Sequence, residues 1–173
     1  LASSGIHANG GSLARKLAER LPDGYGTRLP SGALFGEALL APTVLYSPVT
    51  EALAAAGIVP HYQANITGHG WRKVMRHGKE LTYRFHVLPP VPEVLQFLQR
   101  ETASDARAAY GNLNMGAGYA LYVAANDAAR TVEVARAAGV QAWIAGKVEA
   151  GPKQVVLEPL DLVFGADDLH VRA

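Results

Sequence analysis

The sequence predicts an α/β fold in which helices pack against a mixed sheet. Three observations support this class. Apolar runs of strand length alternate with stretches of helical length, 49% of the residues are hydrophobic, and the length of 173 residues suits a single core. The range 1–173 is therefore expected to be one domain, without an internal repeat or a low-complexity segment.

Four helices are predicted, over residues 10–20, 43–56, 91–101 and 127–138. Thr43 suits the cap of the second helix, and Pro48, one turn inside it, shortens or kinks its start. Asn126 is expected to cap the last helix and Gly139 to end it, so this helix is the best bounded of the four.

Five strands are predicted between and after these helices, over residues 59–66, 81–87, 118–123, 142–149 and 154–160. The tail 161–173 carries three acidic residues and is expected to include a short strand at its end. Periodicity identifies strands but not their neighbours, so the order of strands in the sheet stays open.

Composition and charge exclude several classes of function. A net charge of +1 argues against a nucleic-acid partner, and no apolar stretch approaches the roughly 20 residues that a membrane helix needs. The absence of cysteine rules out disulfides and thiolate chemistry, and no secretory signal is visible at the start. A cytoplasmic protein without a membrane partner is expected.

The most informative segment is a polar loop that runs into the first helix. It contains Ser3, Ser4, Gly5, Asn9, Gly10 and Gly11, together with His7, the one group of the loop that titrates near neutral pH. The first N–H groups of a helix have no partners and attract anions. The loop is therefore a candidate phosphate site, although a well-capped turn between a strand and a helix would look similar.

A second candidate site is the turn Thr67-Gly68-His69-Gly70, whose backbone N–H groups suit a phosphate or an oxyanion. It is followed by a basic stretch without carboxylates up to residue 79, in which Arg72 and Arg76 have the i, i+4 spacing of one helix face. This stretch suits either a phosphate site or a solvated basic surface.

No metal site is predicted from the histidines, because their spacing shows no H-E-x-x-H pair and cysteine ligands are absent. Apart from His7, they suit surface or hydrogen-bonded core positions: His61, His69, His77, His86 and His170. Walker-type and Rossmann-type phosphate loops are also missing from the sequence.

Four motifs resemble those of the phosphoribosylformylglycinamidine cyclo-ligase (AIR synthase) family, in that family's order. They are Ser-Ser-Gly-Ile-His-Ala-Asn-Gly at 3–10, Leu-Leu-Ala-Pro-Thr-Val-Leu-Tyr at 39–46, Ile-Thr-Gly-His-Gly at 66–70 and Asn-Met-Gly-Ala-Gly at 114–118. The second motif favours the cyclo-ligase branch over related enzymes. His69 departs from the family, which has glycine there; if that position needs a positive φ, histidine adopts it only at a cost.

The resemblance covers the C-terminal half of the family's chain and implies a partly ferredoxin-like fold. The N-terminal half, which binds ATP and metal, is absent, so a fragment, an isolated domain or one partner of a split protein is expected. The chain opens on Leu1 directly at the motif, as if a preceding strand had been cut away.

The resemblance implies an ATP-driven ring closure that makes aminoimidazole ribonucleotide from formylglycinamidine ribonucleotide, with Mg²⁺ on the nucleotide. The complete protein is expected to be a homodimer that binds a phosphorylated substrate. In this chain Ser3–Gly11, Thr67–Gly70, Arg72 and Asn114 would form the substrate side of the cleft, with His7 as the catalytic residue. The chain alone, without the ATP-binding half, is expected to be inactive.

Two other classes of function stay open. The substituted turn and the basic stretch also suit a module that binds a phosphorylated metabolite without turnover, or a drifted relative with another substrate. A structural domain that completes an enzyme made by another chain is the third possibility. The Gly116-Ala117-Gly118 turn is expected to serve close packing of the backbone and not ligand contact.

Overall fold

The computed structural model describes residues 1–169, so His170 and the end of the tail lie outside the described residues. The α-helices are α1 (Gly11–Ala18), α2 (Phe35–Leu39), α3 (Ser47–Ala55), α4 (Glu93–Glu101), α5 (Ala106–Asn112) and α6 (Ala128–Ala137). The strands are β1 (Tyr62–Asn65), β2 (Leu81–Phe85), β3 (Tyr119–Tyr122), β4 (Gly146–Ala150), β5 (Gln154–Leu157) and β6 (Leu162–Gly165).

The strands form two sheets, and one of them is mixed. β1 pairs antiparallel with β3, with Ala64 opposite Ala120. The larger sheet has the order β4-β2-β5-β6, in which β2 runs antiparallel to β4 but parallel to β5, and β5 runs antiparallel to β6. The α/β class and the mixed sheet predicted from the sequence are confirmed.

Two apolar clusters stabilise this arrangement. The larger one joins the four-stranded sheet to α1, α4 and α5 and includes the fully buried Phe35, Trp71, Leu95, Met115 and Phe164. The smaller one lies between α3 and α6 and includes Val49, Leu53 and Ala135. Burial of such side chains contributes about 1.5–3 kcal/mol each. Among the described residues, no helix combines the length and apolarity needed to cross a bilayer.

The predicted start of the second helix is wrong. α3 begins at Ser47, so Thr43 lies in the preceding irregular segment and does not cap it. Pro48 occupies the first turn of α3, where its missing N–H would have had no partner inside the helix. Proline therefore marks the beginning of this helix instead of shortening or kinking it.

The predicted cap of the last helix is also wrong. Asn126 lies inside the 3-10 helix Ala125–Asp127, and Asp127 precedes α6 without a side-chain capping bond. Gly139 does end the helix, with a φ of 83°.

The sequence did not predict two of the helices, α2 and α5. α2 and α5 have only five and seven residues, too few for a clear periodic signal. For α5 the signal that could have revealed it is Asp105, whose side chain accepts from the N–H of Ala108.

The last predicted strands are longer than the observed ones. Pro159 lies in the 3-10 helix Glu158–Leu160, which ends β5 at Leu157. Residues 142–145 precede β4 without forming part of a strand. In the tail, β6 lies at the beginning, and a 3-10 helix, Ala166–Leu169, follows it. The short strand expected at the end of the tail falls at 170–173, outside the described residues.

Candidate functional site

Asn114 is the residue around which the polar loop 3–10 is built. Its side chain is fully buried (0% exposed). Its Oδ1 accepts from the hydroxyl of Ser3 at 2.8 Å and from the N–H of Gly116 at 3.0 Å, and its Nδ2 donates to the carbonyl oxygens of Gly5 at 2.8 Å and Ile6 at 3.3 Å. Asn114 therefore acts beneath the loop, as an organiser of its backbone.

His7 adopts a left-handed conformation with a φ of 52°. Its Nε2 accepts from the N–H of Ser4 at 3.0 Å, and the N–H of Val44 lies 3.5 Å away. Because a backbone N–H can only donate, Nε2 is unprotonated and the ring proton of the neutral imidazole sits on Nδ1. Burial lowers the pKa of His7, which agrees with a neutral ring. The hydroxyl of Ser4 donates to the carbonyl of Pro42 at 2.5 Å.

Tyr46 and Gly118 complete the surroundings of His7, and the sequence did not single them out as site residues. The hydroxyl of Tyr46 donates to the carbonyl of Ala2 at 2.7 Å. A Cβ at Gly118 would lie 1.9 Å from this hydroxyl oxygen and 2.9 Å from Cε1 of His7. Only glycine fits there, and a Cβ at Gly116 would lie 2.5 Å from the carbonyl oxygen of Pro90, so close packing at the 116–118 turn is confirmed. Whether the turn contacts a ligand stays a prediction. The signal was present, since Tyr46 ends the second motif.

The start of α1 keeps its N–H groups free of side-chain caps. Gly10, with a φ of 85°, precedes the helix, and no side chain caps it. The first turn holds no acidic residue. Asn9 is engaged elsewhere, because its Nδ2 donates to the carbonyl of Asn112 at the end of α5. The helix start thus presents unpaired donors and the positive end of the helix dipole.

The turn 67–70 lies beside this loop. A Cβ at Gly68 would be 3.8 Å from Oδ1 of Asn9, and the N–H of Gly70 donates to the carbonyl of Thr67 at 2.6 Å. Gly70 has a φ of 51° and no room for a Cβ, which would lie 2.1 Å from the carbonyl oxygen of Tyr110. The structure therefore brings the two candidate sites together.

The expected strain at His69 is absent. Its φ is −111°, in a region open to every residue type, so replacing the family's glycine costs no backbone strain there. Burial and three nearby cations, Arg76, Arg72 and Lys73, lower the pKa of His69. The ring is therefore mainly neutral at pH 7.

Arg72 is used inside the fold. The chain after the turn forms a 3-10 helix, Gly70–Met75, so Arg72 and Arg76 do not share an α-helical face as predicted. The guanidinium of Arg72 donates to the carbonyls of Gly111 at 2.8 Å and Asp168 at 2.9 Å, and it also reaches Asn112 and the carbonyl of His69. These bonds tie the turn to α5 and to the end of the described chain.

The arrangement suits binding of an anion next to a neutral imidazole. Unpaired N–H groups at the start of α1 can donate to phosphate oxygens, and the Nδ1–H of His7 remains available as a donor. Among residues 1–169, no three His, Asp or Glu side chains come together as metal ligands.

The chain is similar to a known protein family and to several curated proteins. The family model described as AIR synthase related protein, C-terminal domain, matches residues 1–158. Proteins named phosphoribosylformylglycinamidine cyclo-ligase are similar: one from Methanococcus maripaludis (strain C5) is 33% identical over 151 residues, 86% of this chain and 43% of its own length. One from Agathobacter rectalis is 32% identical over 162 residues, 91% of this chain and 47% of its own length.

The chain spans less than half the length of these curated relatives. The family match nevertheless covers almost the whole of it, and the site motifs all fall within the matched range. The chain belongs to the AIR synthase related protein family, of which it represents the C-terminal domain.

Proposed function

We propose that this chain forms the substrate-side wall of an ATP-dependent cyclo-ligase that converts formylglycinamidine ribonucleotide to aminoimidazole ribonucleotide. The observation that carries the proposal is the loop 3–10, which Asn114 fixes from below so that the uncapped start of α1 and His7 lie together. The names of the relatives support the reaction, since both cited proteins are cyclo-ligases.

In this proposal the residues of the chain bind and orient the substrate. The N–H groups of Gly10 and Gly11 bind the phosphate of the ribonucleotide, because they lie at the positive end of α1. His7 donates from Nδ1 to the amide oxygen that is activated, since its Nε2 already accepts from Ser4. Ser3 and Asn114 act as positioning residues. The turn 67–70 lines the same cleft.

The remaining parts would come from outside this chain. An N-terminal domain would hold ATP and Mg²⁺, and ATP would supply the phosphoryl group that activates the amide oxygen. The complete protein would work as a homodimer in the cytoplasm.

The test is an assay with formylglycinamidine ribonucleotide, using this chain joined to the N-terminal half of a cyclo-ligase relative. His7→Ala should reduce kcat/KM by at least about 100-fold, the scale of general acid–base catalysis. His61→Ala, at an exposed histidine outside the loop, is the matched control and should leave the activity unchanged. Equal activity of both variants would contradict the role of His7. The 173-residue chain alone should show no turnover.

A second candidate function rests on the cations around His69. Lys73 donates from Nζ to Oγ1 of Thr67 at 2.6 Å, so a positive charge reaches the turn itself. This would suit a module that binds a phosphorylated metabolite without turnover, or an enzyme with another substrate. In the two-domain protein, His69→Gly should change kcat/KM for formylglycinamidine ribonucleotide by less than about tenfold, or 1.4 kcal/mol, if the cyclo-ligase reaction is retained. If the two-domain protein binds phosphate but does not cyclise formylglycinamidine ribonucleotide, the second function would be favoured.

A further inference from the structure

Arg72 holds together three segments that are far apart in the sequence. Its guanidinium donates to the carbonyl of His69 in the turn, to the carbonyl of Gly111 and Oδ1 of Asn112 in α5, and to the carbonyl of Asp168 in the 3-10 helix after β6. A guanidinium is planar and rigid, so these bonds fix the three segments relative to one another. All four acceptors are uncharged oxygens, and the positive charge of Arg72 is therefore not neutralised by them.

The position of Asp168 is fixed by Arg107 of α5. Nη2 of Arg107 donates to both carboxylate oxygens of Asp168, at 2.8 and 2.9 Å, and its Nη1 donates to the carbonyl of Val163 at 2.8 Å. The same guanidinium lies over the ring of Phe164, 5.0 Å from the ring centre, and Oδ2 of Asp168 accepts from the N–H of Gly165 at 2.8 Å. Exposed ion pairs usually contribute little, but a two-bond pair with further contacts is well ordered. The pair Arg107–Asp168 thus holds one acceptor of Arg72 in place.

The candidate anion site consists of the loop 3–10, the start of α1 and the turn 67–70, and the end of α5 contacts both its loop and its turn. At the turn, a Cβ on Gly70 would lie 2.1 Å from a carbonyl oxygen of α5, so the two backbones are in close contact. At the loop, Nδ2 of Asn9 donates to the carbonyl of Asn112. The end of α5 therefore fixes the loop and the turn relative to each other.

The cation that follows Arg72 in the same 3-10 helix reaches the anion site. Lys73 donates from Nζ to Oγ1 of Thr67 at 2.6 Å, which places its ammonium at the turn. The helix is anchored by the buried Trp71 and Val74 on one side and by the bonds of Arg72 on the other. A change in the position of Arg72 would therefore move the ammonium of Lys73 relative to the turn.

We propose that Arg72 is a positioning residue of the anion site, and that the remote pair Arg107–Asp168 determines through Arg72 how tightly the site binds phosphate. The inference rests on the proposed function, because phosphate binding at this site is part of that function. Neither member of the pair lies in the loop or in the turn. They therefore act by fixing the 3-10 helix that carries Arg72 and Lys73, and not as phosphate ligands.

The first test measures amide exchange at Gly70, whose N–H donates to the carbonyl of Thr67, relative to exchange at Ala138 in the other apolar cluster. Arg107→Met should speed exchange at Gly70 by at least about fivefold on this relative scale, the lower end of measured coupling between sites. The matched control is Arg84→Met, which removes the same charge and also breaks two carboxylate bonds, and it should leave the ratio unchanged. Equal ratios in the two variants would overturn the inference.

The second test is titration of the chain with inorganic phosphate, followed by the amide signals of Gly10 and Gly11. Arg107→Met should raise the Kd for phosphate by at least about fivefold, although no group of the anion site is removed. Arg84→Met controls for the loss of one positive charge and should leave the Kd unchanged. Arg107→Lys keeps the charge and one bond to Asp168, so it should restore most of the affinity.

A further variant separates position from charge at Arg72 itself. Arg72→Lys keeps the charge but cannot reach all four acceptors, and it should weaken phosphate binding as much as Arg107→Met does. Equal phosphate affinity of Arg107→Met and Arg84→Met would overturn the inference alone and leave the proposed function standing. Absence of phosphate binding by the unaltered chain would instead overturn the proposed function, and the inference with it.

Discussion

Asn114 should be one of the most sensitive residues of this domain, although it is fully buried beneath the loop. Three of its side-chain hydrogen bonds measure 2.8–3.0 Å, and a fourth measures 3.3 Å. Each neutral bond contributes about 1 kcal/mol, and a buried partner left unpaired costs about 1–3 kcal/mol. Gly5 and Gly116 would each lose such a bond, so Asn114→Leu should lower the free energy of unfolding by about 3–5 kcal/mol.

The assay is urea unfolding followed by circular dichroism, with thermal unfolding alongside. A loss of this size corresponds to a fall in Tm of about 10 °C for a chain of this length. Leucine is branched at Cγ like asparagine and is somewhat larger, so Asn114→Leu removes the bonds without leaving a cavity. Asn112→Ala is the matched control: its exposed side chain bonds to the carbonyl of Ala108 and to Arg72, and the loss should stay below about 1 kcal/mol.

The refuting result is a loss of less than about 1 kcal/mol for Asn114→Leu. It would mean that the loop keeps its shape without the buried amide. Amide exchange at Gly116 gives an independent reading, because its N–H donates to Asn114 and should exchange faster once the acceptor is gone.

Three further outcomes follow from the same geometry. In urea unfolding, Gly70→Ala should lower the free energy of unfolding by at least about 3 kcal/mol, because the new Cβ would lie 2.1 Å from the carbonyl oxygen of Tyr110. Gly78→Ala, with open space around it, should change this free energy by less than about 1 kcal/mol. Similar losses in the two variants would refute the packing argument. His69→Gly should bring no stabilisation in the same assay, because its φ of −111° holds no strain to relieve; a gain above about 0.5 kcal/mol would contradict this. Burial lowers the pKa of His7 below its ordinary 6.5, so the unfolded chain binds more protons at this residue than the folded chain. The contribution of His7 to the free energy of unfolding is therefore complete above pH 6.5 and falls as the pH drops through the folded pKa. His7→Gln should flatten the pH dependence of unfolding in this range.

The local features of the sequence predicted much of the fold. Alternation of apolar strands and helices gave the α/β class, and Gly139 marked the end of α6 because a positive φ there favours glycine. The motif positions at 3–10, 66–70 and 114–118 also pointed to the regions that meet in space. Helix starts were less predictable. A proline such as Pro48 suits the first turn of a helix as well as a break inside one, and the sequence alone does not distinguish the two positions.

The roles of individual site residues depended on contacts between distant parts of the chain. Asn114 and Ser3 are 111 positions apart, and no local pattern shows that one organises the loop of the other. Arg72 looked like a phosphate ligand because its charge and spacing fit, but carbonyls of α5 and of the 3-10 helix Ala166–Leu169 use its donors. Tertiary packing decides which polar groups are already satisfied.

The sequence by itself therefore determined the fold class and the family motifs, and it predicts which segments bind an anion, because glycines, helix starts and apolar periodicity act over a few residues. Only the tertiary structure decided that Asn114 lies beneath the loop and that His69 is unstrained. Those outcomes depend on which backbone groups find hydrogen-bond partners after folding, and the packing of the whole domain decides this.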